Sequence, residues 1–281
     1  MTSSLQALQY ARKNLAEANC HNADNEARWM LEELRREFSL KATGQLPEEA
    51  LHKLHDMLRR RKLGEPLQYI LGNTDFHDIN VQVGPGVLIP RPETELLVEL
   101  ALQLYPGEGD ILDLCTGSGA IALALAHKLP HCQCMASDIS PAALHWACIN
   151  TRSLNLKNVR LLESDLFEQL PSGSKFSLIT ANPPYVSNSE YQQLPKLIKE
   201  HEPALALQAG KLGLDLITRI INQAPSFMHP DAYLIMEIGS SQGEELRNIL
   251  MQAKWRDPRI APDLAGLDRF VIAKRPDADS F

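Results

Sequence analysis

Apolar residues recur at intervals of three and four along the first quarter of the chain. Leu5, Leu8, Ala11 and Leu15 share one helical face, with Ser4 placed to cap the helix. Leu31, Leu34 and Phe38 mark a second helix starting near Asn25, and Gly44 breaks the pattern. Pro47 suits a first helical turn. Leu51, Leu54 and Leu58 then stripe a third helix that ends in Arg59-Arg60-Arg61-Lys62, cations at the favourable end of a helix dipole. Residues 1–72 are therefore expected to be wholly helical. From Asn73 the period falls to two. Phe76, Ile79, Val81 and Val83 fit a β-hairpin and Gly84-Pro85-Gly86 a turn, so 73–89 reads as a hairpin connector. Pro90-Arg91-Pro92-Glu93-Thr94-Glu95 opens a helix through Leu96, Leu97 and Leu100. From Asp110 onward, strands near Ile111–Leu114, Gln133–Ser137, Val159–Glu163, Phe176–Ala181, Tyr233–Ile238 and Arg269–Ala273 alternate with helices. That alternation predicts an α/β fold over 90–281: an open, mainly parallel sheet with helices on both faces.

The fourth of these strands runs into Asn182-Pro183-Pro184-Tyr185. Two prolines cannot continue a central ladder, so the strand stops there, and the residue before a proline is held extended. Asn182 is thus fixed at a strand's C-terminal end, where open α/β sheets bind ligands. An amide acceptor, a neighbouring backbone carbonyl and an aromatic ring suit a flat group bearing an NH2. A plain proline turn after a strand would give the same four residues.

The three preceding strand ends narrow the choice. The first ends in Asp113-Leu114-Cys115-Thr116-Gly117-Ser118-Gly119-Ala120 and enters a helix at once. Glycines there let backbone approach a ligand closely. Asp138 ends the next strand, about 20 residues further on, where an acid binds the two hydroxyls of a ribose. Ser164-Asp165-Leu166-Phe167 follows the third, with an acidic and an apolar group to border an adenine. Together these imply a nucleoside. The third glycine of a dinucleotide fingerprint is missing and no Walker-type Lys-Ser/Thr follows, so a nucleoside without phosphates is favoured, of which S-adenosylmethionine is the common one.

Composition sets the remaining bounds. The 281 residues are 44% apolar and 22% charged, ordinary for a globular protein, and long enough for one large and one smaller domain. A net charge of −7 argues against broad duplex-DNA binding. Residues 1–72 hold 11 Lys/Arg against 10 Asp/Glu, leaving 17 against 25 for the rest. Five cysteines without a framework fit a reducing cytosol. Cys132 and Cys134, two apart in an expected strand, read as core packing, and no metal site is expected. The start shows no signal peptide, and no stretch approaches the roughly 20 apolar residues needed to span a bilayer.

With these motifs in hand the chain resembles the protein-(glutamine-N5) methyltransferases that modify peptide-chain release factors, the PrmC/HemK family. The likeness runs through Pro66 to Gly72, Ile89 to Glu95, Asp113 to Gly119, Asp138, Asn182 to Tyr185, Glu202-Pro203 and Glu237-Ile238-Gly239. It implies a Rossmann-like class I S-adenosylmethionine-dependent methyltransferase domain at 90–281, with seven strands and the last antiparallel, behind the helical domain (1–72) for substrate recognition and the hairpin connector (73–89). It implies that Cys115, Thr116, Gly117, Ser118 and Gly119 line the methionine part of the cofactor, that Asp138 holds the ribose, and that Asp165 and Leu166 border the adenine. Asn182 would accept a hydrogen bond from the glutamine NH2, the carbonyl of Pro183 would accept another, and Tyr185 would stack on the amide plane, with Pro184 completing the substrate site. S-adenosyl-L-homocysteine would be the product. Release factors would be the partners of a cytoplasmic monomer, with no membrane and no stable nucleic-acid binding. His201 and Glu202 lie in the right half of the chain for a general base, though capping or structural roles suit them equally. Two positions depart from the family pattern. Glycine usually stands at Cys115, where a need for positive φ would bring strain and a need for close packing would not; the latter is expected. Paired glycines often stand near Asp231-Ala232. Two other readings stay open at this point: an amino-methyltransferase acting on a base of RNA or DNA, and a non-catalytic adaptor that keeps the cofactor fold.

Overall fold

The computed structural model describes residues 2–41 and 44–277. Met1, at the head of the expected helical domain, and residues 278–281, at the end of the expected catalytic domain, lie outside the described residues. The chain divides into two compact units, Met1–Asn73 and Thr74–Phe281.

The first unit holds β1 (Thr2–Ser3), α1 (Ser4–Glu17), α2 (Ala23–Glu37), β2 (Gln45–Leu46), α3 (Glu48–Lys62) and α4 (Leu67–Leu71). It is not wholly helical, because β1 and β2 pair antiparallel. The cap of α1 is Ser3, one residue earlier than expected. Ser3 is extended and forms a reciprocal capping box with Gln6, while the Ser4 hydroxyl donates to the Gly44 carbonyl instead. Pro47 likewise sits just outside α3, as its N-cap. Ala11, Leu15, Met30, Leu34 and Leu54 are buried among the three long helices, each large side chain contributing roughly 1.5–3 kcal/mol. The basic run at the end of α3 is committed to partners. Arg61 grips the buried Glu26 through two hydrogen bonds of 2.6 and 2.9 Å, Arg60 grips Glu65, Arg59 pairs with Asp56, and Lys62 donates to Asn14.

The second unit is the α/β domain. The hairpin is β3 (Asn73–Phe76) and β4 (Ile79–Gln82), turning at His77 with φ +51°. A 3-10 turn at Pro92–Thr94 leads into α5 (Glu95–Leu104). Then follow β5 (Ile111–Leu114), α6 (Ala120–Lys128), β6 (Cys134–Asp138), α7 (Pro141–Ser153), β7 (Val159–Glu163) and β8 (Phe176–Ala181). Cys132 falls in the loop before β6 rather than in the strand, its thiol turned to the Gly109 carbonyl. After β8 come α8 (Asn188–Gln193), α9 (Lys196–His201), a 3-10 turn at Ala204–Ala206, α10 (Asp215–Gln223), β9 (Met228–Glu237), α11 (Gly243–Gln252), β10 (Arg256–Pro262) and β11 (Asp268–Lys274).

The seven strands lie in the order β10-β11-β9-β8-β5-β6-β7. All neighbours pair parallel except β11, which is antiparallel to both β9 and β10. Sequence pattern missed β10 altogether: Arg-Asp-Pro-Arg-Ile-Ala-Pro is polar and twice interrupted by proline, which only an edge strand accepts. It also started β9 too late. At Asp231 the backbone turns left-handed (φ +60°), and the register against β8 shifts between its Phe176 and Leu178 partners, so the strand continues through an irregularity. Chain order reverses between β5 and β8: from β5 the sequence winds outward to β6 and β7, and from β8 the other way to β9. Such a switch point leaves a crevice at the C-terminal strand ends.

Candidate active site

Three residues of the turn after β5 take positive φ: Cys115 at +55°, Gly117 at +58° and Gly119 at +86°. Close packing is therefore not the only demand on Cys115. The position is left-handed, and a non-glycine residue there carries roughly 1–2 kcal/mol of strain. Burial of its side chain against the sheet core offsets part of that cost. Burial, with Asp138 and Asp113 nearby, pushes the Cys115 thiol well up, so it presents a neutral wall rather than a nucleophile. Beneath the turn Asp113 is fully buried and accepts from Thr116 Oγ1 at 2.6 Å and Thr180 Oγ1 at 2.7 Å, stapling β5 to β8. Desolvation raises its pKa to about 7 against those hydrogen bonds.

Asp138 ends β6 with both oxygens engaged. Gly117 N–H donates to Oδ2 at 2.8 Å and Ser140 N–H to Oδ1 at 2.9 Å, which fixes the carboxylate beside the turn. Burial raises its pKa while these backbone donors hold it down. Leu166, left-handed at φ +52°, is buried after β7, and Asp165 beside it pairs with Arg219 of α10 at 3.1 Å. Asn150 of α7, wholly buried, ties the far side. Its Nδ2 donates to the carbonyls of Gln82 and Ser118, both at 2.9 Å, and its Oδ1 accepts from Gln82 N–H at 2.7 Å. One side chain thus joins the end of the hairpin to the glycine turn. Replacing Asn150 with alanine leaves the buried Ser118 carbonyl and the half-buried N–H and carbonyl of Gln82 without their partner, and a fully buried group left unmade costs roughly 1–3 kcal/mol. Thermal melting should show a drop of several degrees; an unchanged midpoint would count against this role.

These elements enclose a cavity of about 370 Å³. Cys115, Thr116, Gly117 and Ser118 border it, as do Asp138, Asp165, Leu166, Asn182 and Pro184. Gly119, Pro183 and Tyr185 do not. Gly119 instead seats α6 against α7, where an added Cβ would meet Leu123 at 3.0 Å. Glu202 is buried in an ion pair with Arg91 (2.5 Å), away from the cavity wall, which gives it a structural part and not that of a base. His201 closes α9 and does not border the cavity either.

Two stretches of wall were not legible in the pattern. Chain after the four-residue signature returns beside it: Val186 pairs with Gln208 in a parallel bridge, its N–H donating to the Leu207 carbonyl and its carbonyl accepting from Ala209 N–H, and Asn188 N–H donates to the Gly210 carbonyl. This brings Leu205 and Gln208 to the cavity. The other is Thr94, which borders the cavity and bonds Glu237 across 143 positions. Nothing local marks that partnership.

Residues 92–214 match the family described as Methyltransferase small domain, and residues 6–72 match the PrmC N-terminal domain. The chain is 38% identical over 278 residues to the release factor glutamine methyltransferase of Moorella thermoacetica, covering 96% of this chain and 98% of that one. It is 40% identical over 236 residues to that of Thermodesulfovibrio yellowstonii, covering 82% and 84%. Among solved structures, a 16S rRNA methyltransferase of Thermus thermophilus, in complex with AdoMet and guanosine, superposes with a TM-score of 0.51 at 19% identity, over 72% of this chain and 49% of that one. At that identity the likeness speaks for the class I methyltransferase sheet alone.

Proposed function

This chain belongs to the release factor glutamine methyltransferase family, and from that membership we propose that it methylates the side-chain amide nitrogen of the glutamine in the Gly-Gly-Gln motif of a peptide-chain release factor. The cavity at the switch point fits S-adenosylmethionine as donor. Its acid at the second strand end is backed by backbone donors, its far end is apolar with Leu166 beside Asp165, and no phosphate-binding group is needed. Bound there, the cofactor supplies an electrophilic methyl group and leaves as S-adenosyl-L-homocysteine. Cys115 to Ser118 would border its methionine part, Asp138 its ribose, and Asp165 with Leu166 its adenine. Gly119 would act from behind, by shaping the turn.

The remaining work falls to the signature. A glutamine amide is a poor nucleophile because its lone pair is delocalised into the carbonyl. Asn182 Oδ1 accepts no hydrogen bond among the described residues, which leaves it free to grip one N–H of the substrate, and the Pro183 carbonyl would take the other. Two acceptors orient the nitrogen and stabilise the positive charge developing on it. Pro184 walls the site, and Tyr185 backs it with its hydroxyl on Glu237 (3.2 Å). Its ring stacks on the amide plane in this reading. The side-chain amide of Asn182 on the wall of a cavity at the switch point, with Asp138 and Asp165 on the same wall, is the observation that carries the proposal. In this reading the enzyme works in the cytoplasm, where its release-factor substrate is. Incubation with labelled S-adenosylmethionine and purified release factors, followed by peptide mass spectrometry, should find one methyl group on the Gly-Gly-Gln glutamine. A label found only on RNA would replace this substrate with a nucleic-acid base.

A further inference from the structure

Behind Asn182 lie two buried side chains, Thr94 and Glu237, to which the proposed transfer gives no direct part. Thr94 Oγ1 lies 2.5 Å from Glu237 Oε2, and Asn182 Nδ2 lies 3.3 Å from the same Thr94 oxygen. Tyr185 Oη lies 3.2 Å from the other carboxylate oxygen, Oε1. Thr94 and Glu237 are both buried. A hydroxyl has one proton and two lone pairs, whereas an ionised carboxylate only accepts. With Glu237 ionised, Thr94 spends its proton on that carboxylate. What reaches it from Asn182 must then be a donor, the NH2 end of the amide. The opposite end, Oδ1, is the acceptor left over, on a residue that borders the cavity.

An asparagine amide is nearly symmetric in shape, so nothing steric forbids the flipped arrangement. Flipped, Asn182 would offer N–H groups to a substrate that itself brings N–H groups, and the grip would become a repulsion. We propose that Thr94 and Glu237 are positioning residues that fix the polarity of Asn182, and that Glu237 holds Tyr185 in place with its second oxygen. The inference rests on the reaction proposed above and names what makes its acceptor dependable. It also accounts for a buried glutamate at the end of β9, 55 positions from Asn182, which feels the opposing charges of Arg269 and Glu93.

The test compares Thr94→Val, Thr94→Ala and Thr94→Ser in the full-length protein. Valine keeps the shape and removes the acceptor, alanine removes it without a branched side chain, and serine restores it. Loss of a fixed orientation should lower kcat about 10- to 100-fold in the valine and alanine variants, with KM for the release factor and cofactor affinity by calorimetry within about threefold of wild type. Serine should bring kcat back to within about threefold of wild type. The second readout does not depend on turnover. The Asn182 side-chain NH2, followed by 15N NMR, should exchange slowly with solvent in the wild type and Thr94→Ser, and fast in Thr94→Val. Full turnover in either folded variant, or no rescue by serine, overturns the positioning role. If the wild-type protein itself leaves release factors unmethylated, the substrate assignment fails instead, and the exchange measurement still decides the orientation.

Discussion

Asn182→Ala is expected to lower methyl transfer to the release factor by about 10²–10³-fold, the range seen when one preorganised polar group aimed at developing charge is removed. The loss should fall on kcat. The orienting acceptor matters most when the amide nitrogen loses conjugation and gains positive charge, so it is worth more in the transition state than in the bound complex. Cofactor affinity should change little. Asn182 is one polar group in a wall that also draws on the turn after β5, the ends of β6 and β7, and the segments 86–94 and 203–219. A single hydrogen bond of about 1 kcal/mol corresponds to roughly fivefold in Kd. Calorimetry beside a turnover assay separates the two effects. Turnover near the wild-type level would remove Asn182 from the chemistry. A large loss of cofactor affinity would move it from the substrate's side of the cavity to the donor's.

The second large effect concerns stability. Asp113→Ala leaves the hydroxyls of Thr116 and Thr180 without their acceptor in a fully buried site. At roughly 1–3 kcal/mol for each stranded group, plus the void left behind, several kcal/mol should go, a large part of a typical domain's 5–15. Asp113→Asn keeps the shape and has a different signature. Desolvation raises the aspartate's pKa from 3.8 to about 7 in the folded protein. Between those values the native state binds more protons than the unfolded one, so this group's contribution is fullest below pH 3.8 and is lost as pH rises through about 7. Asparagine has no such titration. The melting temperature of Asp113→Asn should therefore gain on that of the wild type between pH 5 and pH 8. A difference between the two proteins that stays flat with pH, or runs the opposite way, would show that Asp113 does not titrate with a raised pKa.

What could be read from sequence was what short-range chemistry determines. The glycine turn, Asp138 and the Asn-Pro-Pro-Tyr segment each declare a backbone conformation within a few residues, and each stands at a strand end in the fold. The partnership of Thr94 with Glu237 spans 143 positions and that of Asn182 with Thr94 spans 88; no periodicity encodes either. Left-handed backbone at Cys115 and Asp231 was hidden for another reason. A side chain there does not advertise the conformation that glycine would, and the fold imposes it through the surrounding turn and sheet. The helical caps were misplaced by a single residue at Ser3 and Pro47, because adjacent candidates differ only in what else they can reach.

β10 closes one side of the sheet with an open row of backbone donors and acceptors, the feature by which a half-folded neighbour would add a strand and begin an aggregate. Pro258 and Pro262 each withdraw a donor from β10, and the break in its pairing with β11 between Arg256 and Arg259 keeps the strand from lying flat. Arg256 and Arg259 add charge that an approaching strand would have to desolvate. The same polar, proline-broken sequence that hid β10 from a hydrophobic pattern therefore acts as a gatekeeper against fibril growth. Smoothing it with valines should make the protein more prone than the wild type to precipitate on refolding.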